Sequence, residues 1–111
     1  MAEILRGDIY WAELNPIYRN ESKAKCAVLV ISNNFFNEKS GTVIALAITS
    51  NPPKAGFPLA YELITEQLPK LSWIKISQVR TLPIESLSGK LGSVSEDIMN
   101  IIIEGLNELI D

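Results

Sequence analysis

Apolar and polar residues change rhythm several times along this chain. Residues 8–14 hold the β-formers Ile9, Tyr10 and Trp11 and stop at Asn15-Pro16, a pair that ends a strand. Residues 15–25 are polar and include Arg19, Glu21, Lys23 and Lys25, which predicts a loop long enough to carry function. Residues 27–31 form an unbroken apolar run, the pattern of a buried strand. Ser32-Asn33-Asn34 interrupts it, and Phe35 and Phe36 begin a short helical turn. Residues 42–49 are a second apolar run of strand length. Asn51-Pro52-Pro53 then forces an irregular connection, because proline cannot donate to a ladder.

Two further strands are predicted over residues 57–64 and 72–78. In the second, Trp73, Lys75 and Ser77 alternate with Ile74, Ile76 and Gln78. Pro83 with Ile84, Glu85, Ser86 and Leu87 predicts one helical turn, and residues 90–94 a last short strand. The clearest element is C-terminal. Ser95 suits an N-cap, Glu96 and Asp97 suit the positive end of a helix dipole, and Ile98, Ile101, Ile102, Leu106 and Leu109 repeat at helical spacing. Short strands followed by one amphipathic helix predict a small curved sheet or barrel covered by that helix.

Composition narrows the chemistry. With 111 residues, 47% apolar and 21% charged, the chain reads as one globular domain over residues 1–111 with a modest core, which favours dimerisation. No apolar run is long enough to span a bilayer, the N-terminal segment does not read as a secretion signal, and the single Cys26 cannot form an internal disulfide. The expected location is the cytoplasm, with no membrane partner. A formal charge of −3 argues against holding nucleic acid by bulk electrostatics, while leaving room for a local positive patch. The chain has no histidine, which excludes histidine triads and imidazole acid–base catalysis. No zinc cluster is possible with one cysteine and no histidine.

Several motifs have a plain structural reading. Arg6-Gly7-Asp8 is expected to be a strand entry rather than an adhesion motif, and Asn20-Glu21-Ser22 is irrelevant as a sequon without secretion. Arg19, Lys23 and Lys25 are a solvated loop or a phosphate-contacting one. Thr49 and Ser50 are turn formers or hydroxyls at a barrel rim, and Arg80 is an ion-pair partner or a contact to RNA. Trp11, Tyr10 and Trp73 stack on bases or fill the core.

Read in order, these segments resemble the MazF/PemK family of bacterial toxin endoribonucleases. The resemblance is carried by residues 6–16 (RGDIYWAELNP), 28–34 (VLVISNN), 47–50 (AITS), 68–72 (LPKLS), Gln78-Val79-Arg80-Thr81, and Leu91-Gly92 before the terminal helix. It implies a mainly β fold with α: an SH3-like barrel of the PemK/CcdB type with a C-terminal amphipathic helix, forming a homodimer. It implies a metal-independent ribonuclease without a cofactor, cutting single-stranded RNA at short motifs by attack of a ribose 2′-hydroxyl on the adjacent phosphate. The implied protein partner is an antitoxin whose acidic tail blocks the groove.

The resemblance also places residues. Glu21 and Thr49 fall on the family's catalytic glutamate and threonine, and Gln78 on a position associated with the RNA groove. Where many members have a catalytic arginine followed by proline, this chain has Cys26-Ala27. Cys26 cannot supply a cation, although lysine neighbours can lower a thiol's pKa. Lys25, Lys23 and Arg19 are the expected replacements, although strand alternation sets Lys25 on the face opposite Cys26. The catalytic candidates are therefore Thr49, Lys25, Cys26 and Glu21, and the RNA-binding candidates Arg19, Lys23, Ser50, Gln78 and Arg80. Two other readings follow: a member that binds antitoxin or RNA without efficient cleavage, and a CcdB-like gyrase poison. The latter needs an aromatic C-terminal tip, which Leu109-Ile110-Asp111 does not provide.

Overall fold

The computed structural model describes residues 3–13 and 25–111. Six strands and two helices follow in the order β1 (Asp8–Glu13), β2 (Lys25–Val30), α1 (Asn34–Ser40), β3 (Thr42–Thr49), β4 (Ala60–Leu63), β5 (Ser72–Pro83), β6 (Leu87–Ser93) and α2 (Glu96–Ile110). A 3-10 turn, Ile84–Ser86, joins β5 to β6. Every strand pair is antiparallel, and the sheet order is β4-β5-β3-β2-β1-β6.

The predicted barrel is not closed by a ladder, since β4 and β6 form the two edges of the sheet. Side-chain contact bridges part of this gap: Ser93 N donates to Gln67 Oε1 at 3.0 Å, tying the loop after β4 to β6. Other boundaries also differ. The strand expected over residues 57–64 shortens to Ala60–Leu63, because Leu59 N and Ala60 N both turn back to Gly56 O. The strand beginning at Ser72 runs on to Pro83, well beyond Gln78. Phe35 and Phe36 lie in a full seven-residue helix, capped by the Asn33 side chain accepting from Phe36 N at 2.8 Å.

Side-chain alternation divides the strands between two apolar clusters. Ile9, Leu29, Leu46, Ile48, Ile74 and Ile76 face α2, which contributes Met99 and Ile102. Tyr10, Ala12, Val28, Val30, Val43, Ala45 and Leu82 face the other way, where Ile4, Ile84 and Leu87 pack on them. The helix face is rotated from the one expected: Met99 is buried, while Ile101 is exposed. Gly105 brings α2 close to the sheet, since a Cβ there would lie 2.9 Å from Phe57 and 3.1 Å from Ile76.

Arg6-Gly7-Asp8 is a strand entry, as its structural reading predicted. Gly7 has φ of +97°, a left-handed conformation costly for other residues. Asp8 is buried, accepts from Leu5 N at 3.0 Å and pairs with Lys90 at 3.3 Å. On α1, the buried Asn37 donates to Ile4 O (3.1 Å) and Ser32 O (3.2 Å), and accepts from the Ser32 hydroxyl. The helix is thereby fixed to both the N-terminal segment and the end of β2.

Candidate active site

The antiparallel register of β2 and β3 pairs Ala27 with Ile48. One residue further along each strand, the same register brings Cys26 opposite Thr49. Both line a cleft of about 340 Å³ at the strand ends, together with Trp11, Lys25, Ser50 and Lys70. The backbone N–H of Asn51 donates to Thr49 Oγ1 at 3.1 Å. That contact orients the hydroxyl and leaves its proton available for an acceptor in the cleft.

Cys26 and Lys25 point to opposite faces, as alternation requires. Cys26 packs against the cluster of Ala12 and Val28. Lys25 lies on the Trp11 side, its Nζ 6.0 Å from the centre of that ring, a cation–π separation. The two meet at the cleft because it opens at the strand ends, where both faces are accessible.

A second cation reaches the Cys26 face from β5. The pairing of β3 with β5 runs from Thr42↔Pro83 to Leu46↔Val79, then jumps to Ala47↔Lys75. Ile76, Ser77 and Gln78 are the residues passed over, so the strand bulges there and its alternation is reset. Arg80 therefore faces the same side as its partner Ala45, within the cluster of Val28 and Val30, and Lys75 does so beside Ala47. Trp73 pairs with Thr49 on that same face.

The electrostatics agree with this placement. Burial raises the Cys26 pKa above the usual thiol value, and the positive charge of Arg80 acts in the opposite direction. Burial is the larger effect, so the thiol stays protonated and neutral near neutral pH. Lysine neighbours can lower a thiol's pKa, but here burial moves it up, and the cation opposing that shift is an arginine.

The family model of the PemK-like, MazF-like toxins of type II toxin–antitoxin systems matches residues 5–110. The chain belongs to this family. It is 32% identical over 111 residues to endoribonuclease MazF6 of Mycobacterium tuberculosis, with 97% of each chain covered. It is also 32% identical over 105 residues to endoribonuclease EndoA of Bacillus subtilis, covering 93% of this chain and 90% of that one. Among solved structures, a MazE–MazF crystal structure from Deinococcus radiodurans aligns with a TM-score of 0.82 at 20% identity, covering 99% of this chain and 97% of that one. A mycobacterial endoribonuclease in complex with its cognate antitoxin aligns with a TM-score of 0.76 at 24% identity, covering 95% and 92% of the two chains. These two structures share the fold.

Within this toxin fold, four of the residues singled out from sequence come together in the cleft: Lys25, Cys26, Thr49 and Ser50. Gln78 lies in the β5 bulge and is exposed, outside the lining of the cleft. Arg80 is also outside that lining, yet its charge acts on Cys26. Arg19, Glu21 and Lys23, with the sequon at Asn20, lie outside the described residues. Sequence reasoning passed over Lys75 and Lys70. Lys75 was visible only as one position of an alternating strand, and Lys70 as one residue of a loop; neither spacing reveals what stands across the sheet.

Proposed function

We propose that this toxin is an endoribonuclease that cuts single-stranded RNA without a metal ion, and that Arg80 supplies the positive charge missing at position 26. The observation that carries this reading is that Arg80 shares the sheet face of Cys26, where Thr49 ends β3, and that its positive charge favours the thiolate there. The 32% identity to relatives named as endoribonucleases supports the activity class.

In the proposed reaction, a ribose 2′-oxygen attacks the adjacent phosphorus and the bond from phosphorus to the 5′-oxygen breaks. The products are a 2′,3′-cyclic phosphate and a 5′-hydroxyl. Glu21, taken from the resemblance, is the proposed base for the 2′-hydroxyl proton. The departing 5′-oxygen takes its proton from solvent water, to which Glu21 returns the proton it accepted. Thr49 donates its hydroxyl proton to a non-bridging phosphate oxygen. Arg80 and Lys75 offset the charge that builds on the phosphorane, where fixed donors lower the barrier most. Lys25, Lys70 and Ser50 hold the RNA backbone, and Trp11 or Trp73 offers a face for a base. Cys26 remains a neutral spacer.

The chain acts as one domain in the cytoplasm and as a homodimer; among its described residues no helix is long and apolar enough to cross a membrane. An antitoxin with an acidic tail is the proposed inhibitor, since carboxylates compete with phosphate for Arg80, Lys75 and Lys25. The test is incubation of purified protein with a long single-stranded RNA in EDTA, followed by analysis of the new ends. Cyclic-phosphate ends support the reading. Intact RNA together with tight binding of an acidic antitoxin peptide identifies a binding-only member. Trapped DNA breaks with intact RNA identify a gyrase poison.

A further inference from the structure

One wall of the cleft comes from a loop at the open seam of the sheet. β4 and β6 do not pair, and residues 64–71 lead from β4 into β5 past the end of β6. This loop gives the cleft Leu68, Pro69 and Lys70. Leu68 is buried in the core that faces α2, whereas Gln67, Pro69 and Lys70 are exposed. Across the seam, Gln67 Oε1 accepts from Ser93 N at 3.0 Å. Within the loop, Gln67 N donates to Thr65 Oγ1 at 3.1 Å, and Ser72 Oγ donates to Lys70 O at 2.9 Å.

Gly92 supplies a second, independent observation. A Cβ built there would fall on the Gln67 side-chain amide, so the link to β6 has room only beside a glycine. Gly92 does not have a positive φ, so its backbone conformation is open to other residues and space is what it provides.

We propose that Gln67 is a positioning residue for RNA binding: bonded to Ser93 across the seam, it holds Lys70 at the cleft wall, where the ammonium meets a backbone phosphate. The inference rests on the reading of the cleft as an RNA site and adds a residue from outside its lining. The buried Leu68 anchors the loop at one point, about which an exposed lysine two residues on can swing. The Gln67 bond adds an anchor on β6, a strand that the loop does not otherwise join. Ordering a free loop on binding costs affinity, and a loop already fixed avoids that cost.

The experiment is binding of the full chain to a fluorescent single-stranded 2′-O-methyl RNA, which lacks the attacking hydroxyl, over a series of salt concentrations. Anisotropy gives Kd for the unmodified chain, Gln67→Ala, Gly92→Ala, Lys70→Ala and the double variant Gln67→Ala/Lys70→Ala. Losing one phosphate contact on a single strand lowers the slope of log Kd against log salt by about 0.7. Gln67→Ala should show that drop and a several-fold weaker Kd. The double variant should bind no worse than Lys70→Ala, since both changes remove the same contact. Gly92→Ala should reproduce Gln67→Ala, because the added methyl displaces a flexible side chain rather than backbone. Thermal unfolding of the same samples checks the fold, and Gly92→Ala carries the test should Gln67→Ala unfold. Unmodified affinity and slope in Gln67→Ala overturn the proposal, even if its Tm falls, because the bond would then be structural only. Additive losses in the double variant also overturn it, since Gln67 would act independently of Lys70. A chain that binds no RNA overturns it together with the RNA reading, whereas binding without cleavage of ordinary RNA in EDTA counts against the nuclease reading alone.

Discussion

Arg80 on β5 stands on the same sheet face as Cys26 on β2, and its positive charge acts on that thiol. The relationship depends on the β5 bulge. Were Ile76, Ser77 and Gln78 to alternate as regular ladder residues, Arg80, five positions after Lys75, would fall on the opposite face. Because the ladder passes over them, both cations turn to the face that Thr49 and Cys26 share. In the proposal, the arginine that the family resemblance leads one to expect at position 26 is replaced by one from across the sheet.

Arg80→Ala should therefore lower kcat by roughly 100- to 1000-fold, the loss typical of removing one transition-state donor. Arg80→Lys should recover part of it, because a point charge remains while the bidentate fork is lost. Single-turnover kinetics in EDTA check both values.

Lys25→Ala should behave differently. Lys25 is on the opposite face, against Trp11, and reaches the cleft only at its mouth. Its loss should raise KM several-fold and leave kcat within about threefold, the pattern of uniform binding. A full substrate titration of cleavage separates the two constants.

Cys26 should be slow to alkylate at neutral pH. Its pKa lies above the usual thiol value because of burial, so the reactive thiolate appears only as pH rises past that value. Arg80 favours the thiolate, so Arg80→Ala should move the midpoint of the alkylation profile further up. An unmoved midpoint would place Arg80 out of range of the thiol. Cys26→Ser should leave cleavage within about threefold, since the sulfur has no chemical role.

Asn37→Ala should cost about 1–3 kcal/mol of stability, because it removes a buried amide and leaves the carbonyls of Ser32 and Ile4 without that donor. Thermal unfolding measures the loss.

Strong local patterns in the chain were enough to define the frame. Apolar runs marked β2 and β3, Ser95 with the isoleucine and leucine spacing marked α2, and the order of short fragments pointed to the family. Parity alone set Lys25 and Cys26 on opposite faces, and the structure has them so. What could not be read was the path of β5. Residues 72–78 alternate cleanly, and nothing local says that the strand continues or that its phase resets at Gln78. That reset is imposed by pairing with β3, a tertiary constraint, and it decides where Arg80 points. Met99 and Ile101 exchanged roles for a related reason: the orientation of α2 follows its packing on Ile76 and Phe57 at Gly105 rather than the count of its apolar residues.

The most direct test of the central claim is the cleavage rate of the double variant Cys26→Arg/Arg80→Ala beside each single variant, measured in EDTA on one RNA. The account predicts that Arg80→Ala is nearly inactive and that adding Cys26→Arg restores cleavage to at least the unmodified rate, because one guanidinium on that face suffices. If Arg80→Ala cleaves at the unmodified rate, the cation comes from elsewhere and the assignment of Arg80 is wrong.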